Sequence, residues 1–175
     1  MKLTTKVILL VAGMALAACT NPDRFGADGA NGAGGAGGTG VDGPFVAGTV
    51  TDPTSTAYFN QRVGDRVLFA VDQSTISDAG SVVLEGQAQW LLTNTDFTAV
   101  IEGHADEQGT REYNVALGAR RANAVREFLV SRGVAGNRLQ TVSFGKERPI
   151  EICSNEACYA KNRRAVTVLA GGLSG

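Results

Sequence analysis

The chain has one histidine, His104, one tryptophan and three cysteines among its 175 residues, and these scarcities exclude whole classes of chemistry. A single histidine with Asp106 two residues away, and no second cluster at ligand spacing, does not make a zinc or calcium site. His104 beside Asp106 and Glu107 is also poor catalytic equipment. No serine or cysteine motif supplies a nucleophile, and nothing announces the acid environment that paired-carboxylate hydrolysis needs. The longest apolar run, Val7 to Ala18, is too short to span a bilayer. Charge is nearly balanced, with 16 basic and 17 acidic side chains, so bulk attraction to nucleic acid or anionic lipid is not expected.

What the N-terminus does carry is Lys2 and Lys6, that apolar run, and Leu16-Ala17-Ala18-Cys19 at its end. A basic start, a short apolar core and small residues before a cleavage point predict a secretory signal peptide over residues 1–18. The final quartet resembles the lipobox of bacterial lipoproteins. That resemblance implies acylation of Cys19, which becomes the mature N-terminus and anchors the protein without spanning the membrane. Ordinary cleavage is the alternative, and it would leave an exported protein with an unexplained thiol. Thr20 stands where lipoproteins retained in the inner membrane often carry aspartate, which implies the periplasmic face of the outer membrane. Loss of residues 1–18 leaves 14 basic against 17 acidic groups, a net charge of −3.

Residues 19–57 read as the acylated terminus and a disordered tether, since Asn21 to Val50 is dominated by glycine and alanine without apolar periodicity. Gly32 to Gly37 formally matches the G-x-G-x-x-G dinucleotide fingerprint, but no strand precedes it and no helix follows.

Residues 58–170 are the size of one domain, with 171–175 as a tail. Strands are predicted at Arg66 to Ala70, Phe97 to Glu102, Arg138 to Phe144 and Ala165 to Leu169. A helix is predicted at Ala79 to Leu92, its inward face carrying Val82, Val83, Ala88 (or Gly86) and Trp90 to Leu91. A longer helix starts between Thr110 and Leu117, buries Leu117, Ala124, Val125, Phe128 and Leu129, and ends at Gly133 as its C′ residue. Strands alternating with helices, then a closing strand, predict an α/β fold: an α+β sandwich with helices packed on one face of a mixed four-stranded sheet.

Ordered along this domain are Val100-Ile101-Glu102-Gly103-His104-Ala105-Asp106-Glu107-Gln108-Gly109-Thr110, Tyr113-Asn114, Leu117-Gly118 and Arg120-Arg121-Ala122-Asn123-Ala124-Val125. Ser143-Phe144-Gly145-Lys146-Glu147-Arg148-Pro149 and Lys161-Asn162-Arg163-Arg164-Ala165-Val166 follow. In content and spacing, over about Asp65 to Leu169, these resemble the OmpA-like C-terminal domain family and, within it, the peptidoglycan-associated lipoproteins. The resemblance implies a non-catalytic module, without metal or cofactor, that binds the meso-diaminopimelate stem peptide of peptidoglycan and tethers outer membrane to cell wall. It also implies contact with TolB and other components of the Tol-Pal system, which serves envelope integrity and outer-membrane constriction at cell division. Carried over residue by residue, Asp106, Arg121 and Arg163 are recognition charges. Asn114 and Leu117 shape the site, and Phe69 with Ala70 presents backbone at the end of the first strand. Relatives usually read Phe-Asp where this chain has Phe69-Ala70, so any contact of that aspartate side chain is absent.

The residues themselves suit such a ligand. Diaminopimelate ends in an ammonium and a carboxylate on one carbon, and Asp106 and Arg121 supply one opposite charge for each. If Asn114 caps the helix, Arg121 lies in its second turn, near an N-terminus that favours a carboxylate. Two plainer alternatives stay open: Asp106 and Arg121 bridging each other, worth about 0 to 1 kcal/mol if exposed, and Arg163-Arg164 as a solvated strand entrance. Cys153 and Cys158, in an exported protein, are expected to form a disulfide that steadies the loop before Asn162. A metal pair is the lesser reading, because two thiolates without a nearby histidine make half a site.

Overall fold

The computed structural model describes residues 47–152 and 154–171. The expected signal peptide, Cys19, most of the glycine-rich tether, Cys153 and residues 172–175 lie outside the described residues.

Four strands build one sheet in the order β1-β4-β2-β3: β1 Arg66–Leu68, β2 Phe97–His104, β3 Leu139–Gly145 and β4 Arg164–Gly171. β4 runs antiparallel to both neighbours, and β2 pairs parallel with β3. A parallel pair needs a long crossover, which α3, Arg111–Ser131, provides. Strand alternation sends Val67, Ala99, Ile101, Ala165 and Thr167 into the core, while Leu68 and Val168 stand on the opposite, open face. The expected α/β architecture is therefore observed, with α2, Asp78–Thr93, and α3 on the same side of the mixed sheet.

Both long helices start on side-chain caps. Ser77 accepts from the Gly80 N–H and Thr110 from the Tyr113 N–H, each satisfying an otherwise orphaned donor. α3 ends as expected at Gly133, whose φ of +100° allows the Val134 N–H to reach the Leu129 carbonyl at 3.1 Å and its own N–H the Val130 carbonyl at 2.9 Å. α2 is turned differently from the prediction: Val82 is 72% exposed and Leu84 fully buried. Two residues are about 200° apart on a helix, so a choice between them sets the inward face, and Leu84 aligns with Gln87, Ala88 and Leu91. Gln87 is fully buried yet satisfied, donating to the Gly64 carbonyl at 2.7 Å and accepting from the Thr167 hydroxyl at 2.8 Å.

Two elements escape the periodicity. α1, Thr56–Tyr58, runs into a π-helical turn over Phe59–Gly64, and α4, Glu156–Asn162, precedes β4. The tether boundary expected at residue 57 also moves N-terminal. Asp52 accepts from the Gly48 N–H and both Thr54 donors, Ser55 caps α1, and Trp90 Nε1 donates to the Pro53 carbonyl at 2.7 Å. A short run of Asp, Ser and Thr orders itself through local hydrogen bonds that a hydrophobic pattern does not reveal.

Where α3 crosses β2 the backbones nearly touch. A Cβ on Gly103 would lie 1.8 Å from the Gly118 carbonyl oxygen, and one on Gly118 would lie 2.4 Å from Ser143 Oγ. This contact sets the depth at which α3 sits and so the position of its side chains at the strand ends.

Candidate functional site

A pocket of about 260 Å³ opens at the carboxyl end of β2, against the first turns of α3 and the loop after β1. Asp106, Asn114, Leu117 and Arg121, expected site residues, line it, together with Val71, Asp72, Gln108, Gly109 and Tyr113, which were not expected. The register shift between Gly103 and His104 turns the chain out of the ladder just before Asp106.

Arg121 is fully buried at the base of this pocket. Its Nε donates to the Gln73 carbonyl at 2.8 Å, one terminal nitrogen to His104 O at 2.8 Å and the other to Ala70 O at 3.1 Å. The guanidinium thus ties the loop after β1 to the end of β2 with three of its five N–H groups, leaving one on each terminal nitrogen for another acceptor. Burial pulls its pKa down to about 10, against which Asp106 pushes back, so it is cationic at neutral pH.

Asp106 and Arg121 do not bridge each other. Asp106 accepts instead from Arg163 at 3.1 Å through Oδ2 and from the Gln108 N–H at 3.2 Å through Oδ1. Arg163 is 4% exposed, donates to Phe69 O at 3.2 Å and pairs with Glu156 on α4, so it is no solvated strand entrance. Burial opposes its charge, yet Glu156 and Asp106 together raise its pKa above the usual arginine value.

Two expectations are corrected. Thr110, not Asn114, caps α3, which places Arg121 about three turns inside the helix, away from the free N–H groups of its first turn. Asn114 is buried and donates to the Gln108 carbonyl at 2.7 Å, shaping the loop that carries Asp106. Phe69 and Ala70 do not line the pocket, and their carbonyls are occupied by Arg163 and Arg121. Their part is to receive the two arginines.

His104 points away from this site. It stacks on Phe144 at 5.6 Å between centroids, is 1% exposed, and neither ring nitrogen has a hydrogen-bond partner. Burial, with Arg164 and Arg148 adding to it, lowers its pKa to about 4. No group of three or more His, Cys, Asp or Glu side chains could hold a metal ion among the described residues. Cys158 is buried; its expected pairing with Cys153 involves a residue outside those described.

Comparison with known proteins places this geometry. The model of the OmpA family matches residues 68–163, more than half of the chain. The chain is 46% identical over 168 residues to a peptidoglycan-associated lipoprotein of Rhizobium meliloti (strain 1021), covering 96% of this chain and 89% of that protein. The chain belongs to the OmpA family. A peptidoglycan-associated lipoprotein of Brucella melitensis is 53% identical over 125 residues, covering 71% of this chain and 74% of that protein. Among solved structures, that of the peptidoglycan-associated lipoprotein from Burkholderia pseudomallei aligns with a TM-score of 0.62 at 37% identity, covering 69% of this chain and 98% of that one. The C-terminal domain of Helicobacter pylori MotB aligns with a TM-score of 0.58 at 22% identity, covering 62% of this chain and 86% of that one, a likeness of fold alone. The OmpA match runs from the end of β1 to the residue before β4, and so includes Asp72, Asp106, Arg121 and Arg163.

Asp72 and Tyr113 are two of the five pocket residues that sequence reasoning passed over. Tyr113 stands within a family motif and Asp72 follows the departing Ala70 by two positions, which was the available signal.

Proposed function

We propose that the chain is a lipoprotein that binds peptidoglycan non-covalently through this pocket and tethers the outer membrane to the cell wall. The observation that carries the reading is a buried guanidinium and a carboxylate in one small pocket, each held by other protein groups and each with bonding capacity left over. Arg121 offers its two uncommitted N–H groups to the side-chain carboxylate of diaminopimelate, and Asp106 accepts from the ammonium. Arg163 holds Asp106 in place, and Leu117 and Asn114 bound the space. Membership of the OmpA family makes this a binding module and not an enzyme.

The finer parts of the proposal follow from the sequence. Residues 1–18 are a signal peptide, Cys19 carries the lipid anchor on the periplasmic face of the outer membrane, and a glycine-rich tether joins it to the domain. TolB and other Tol-Pal components are the protein partners, and Cys158 pairs with Cys153. Titrating the intact chain in detergent with stem peptides containing diaminopimelate or lysine tests the site. Strong preference for diaminopimelate is expected, and equal binding refutes the carboxylate assignment. A second reading, an adaptor for TolB with weak wall binding, is favoured by Ala70 in place of the usual aspartate. Pull-down on purified sacculi against TolB affinity separates the two.

A further inference from the structure

Lys146, the residue after β3, does not line the pocket, yet its ammonium is spent on the loop that carries Asp106. The turn that presents it is fixed by its neighbours. Gly145 has a φ of +50° and lies so close to α3 that a Cβ there would sit 2.8 Å from the Val115 nitrogen, and the Ala105 N–H donates to the Gly145 carbonyl at 2.8 Å. From this turn the half-buried Lys146 side chain crosses to the loop between β2 and α3. Its Nζ donates to the Gly109 carbonyl at 2.7 Å and to the Glu107 carbonyl at 3.3 Å. Asn114 takes the carbonyl between them, that of Gln108, at 2.7 Å. Three successive carbonyls of the loop are thus committed to side chains from the end of β3 and from α3.

The peptide between Glu107 and Gln108 connects this ammonium to the site. In a trans peptide the C=O and N–H point in opposite directions, so a carbonyl drawn to Lys146 turns the Gln108 N–H the other way. That N–H donates to Asp106 Oδ1 at 3.2 Å. Lys146 and Asp106 therefore sit at the two ends of one peptide group, and the ammonium polarises the hydrogen bond made at the far end. Arg163 holds the other oxygen, Oδ2. Gly109, at a φ of +88°, gives the loop a backbone that can take more than one course, so the local sequence alone does not fix which way this peptide faces. We infer that Lys146 is a positioning residue for ligand binding: by holding the Glu107 carbonyl it turns the Gln108 N–H onto Asp106 and so aims that carboxylate at the ligand's ammonium. The inference rests on the ligand class proposed above. Its sign separates it from a plain field effect. A cation near the site repels an ammonium through space, so removing it would tighten binding on charge alone, whereas lost positioning weakens binding.

The test uses the full chain in detergent and two synthetic stem peptides, one with meso-diaminopimelate and one with 2-aminopimelate, which lacks the distal ammonium. Lys146→Met keeps most of the apolar stem and removes the donors, and Lys146→Arg keeps donors for both carbonyls. Lys146→Met is expected to weaken the diaminopimelate peptide by on the order of 10-fold and to leave the 2-aminopimelate peptide nearly unchanged, with most of the loss restored in Lys146→Arg. A second measurement needs no ligand: hydrogen exchange of the Gln108 amide should be about tenfold faster in Lys146→Met and near the wild-type rate in Lys146→Arg. Unchanged exchange, tighter binding of the diaminopimelate peptide, or equal weakening of both peptides overturns the inference. If the wild type prefers the diaminopimelate peptide and Lys146→Met binds it equally well, only this inference fails. If the wild type binds neither peptide, the ligand assignment fails and takes the inference with it.

Discussion

Acid should destabilise this domain through His104 in a way that one substitution removes. The ring is buried against Phe144 without a hydrogen-bond partner, and burial beside Arg164 and Arg148 holds its pKa at about 4 against an ordinary 6.5. The unfolded chain therefore takes up the proton first. Stability from this group is complete above pH 6.5 and is lost as pH falls towards 4. The span corresponds to about 3 kcal/mol, of which about 2.5 is gone at pH 4.5. Carboxylates titrate over part of the same range, so the comparison must be with His104→Phe, which fills the same slot with no titrating group. Urea unfolding of both proteins at steps from pH 7.5 to 4.5 should give curves that diverge by about 2 kcal/mol, the wild type falling faster. Parallel curves would show that the ring is protonated as readily in the folded state as in the unfolded one, and would refute the reasoning.

Gly103→Ala should abolish folding or cost well over 3 kcal/mol, since its Cβ would overlap the Gly118 backbone; far-ultraviolet circular dichroism and thermal melting report it, and a stable variant would mean that α3 can lift. Arg163→Met should cost about 3 kcal/mol in urea unfolding by leaving Asp106 buried without its cation, and an unchanged midpoint would make the pair dispensable. Cys19→Ser should leave an unlipidated precursor that no longer fractionates with the outer membrane, and unchanged fractionation would remove the anchor. Alkylation of the intact protein without reductant should leave Cys153 and Cys158 unlabelled, and ready labelling would remove the disulfide.

The sheet and α3 were legible because their signals are strong and local: alternation in Phe97 to Glu102, and a glycine at the C′ position of a long helix. Periodicity was silent where order comes from polar side chains, as at Asp52 and Ser55, or where a helix lasts only two turns, as in α4. It also misassigned Val82, because valine at 82 and leucine at 84 are equally apolar and only packing against Val67 and the sheet decides between them. At the site, the sequence named charges that the fold brings near one another, Asp106, Arg121 and Arg163, but not that Arg163 would hold Asp106. Asp106 and Arg121 are fifteen positions apart, whereas the partner of Asp106, Arg163, arrives from a later loop whose place depends on β4. The roles of Phe69 and Ala70 as acceptors for two buried arginines are set by tertiary structure alone.

β4 is the last described strand in the chain, yet it lies in the interior of the sheet, between β1 and β2. β1 has no other sheet partner, so Arg66–Leu68 must wait for Arg164–Gly171, about a hundred residues later, before any of its ladder forms. A chain emerging N-terminus first from the ribosome cannot close this domain until nearly all of it has been made. Contacts of such sequence separation form slowly, and until they do β2 presents an unpaired edge to other chains. The same dependence makes truncation before Arg164 a route to aggregation instead of a smaller fold.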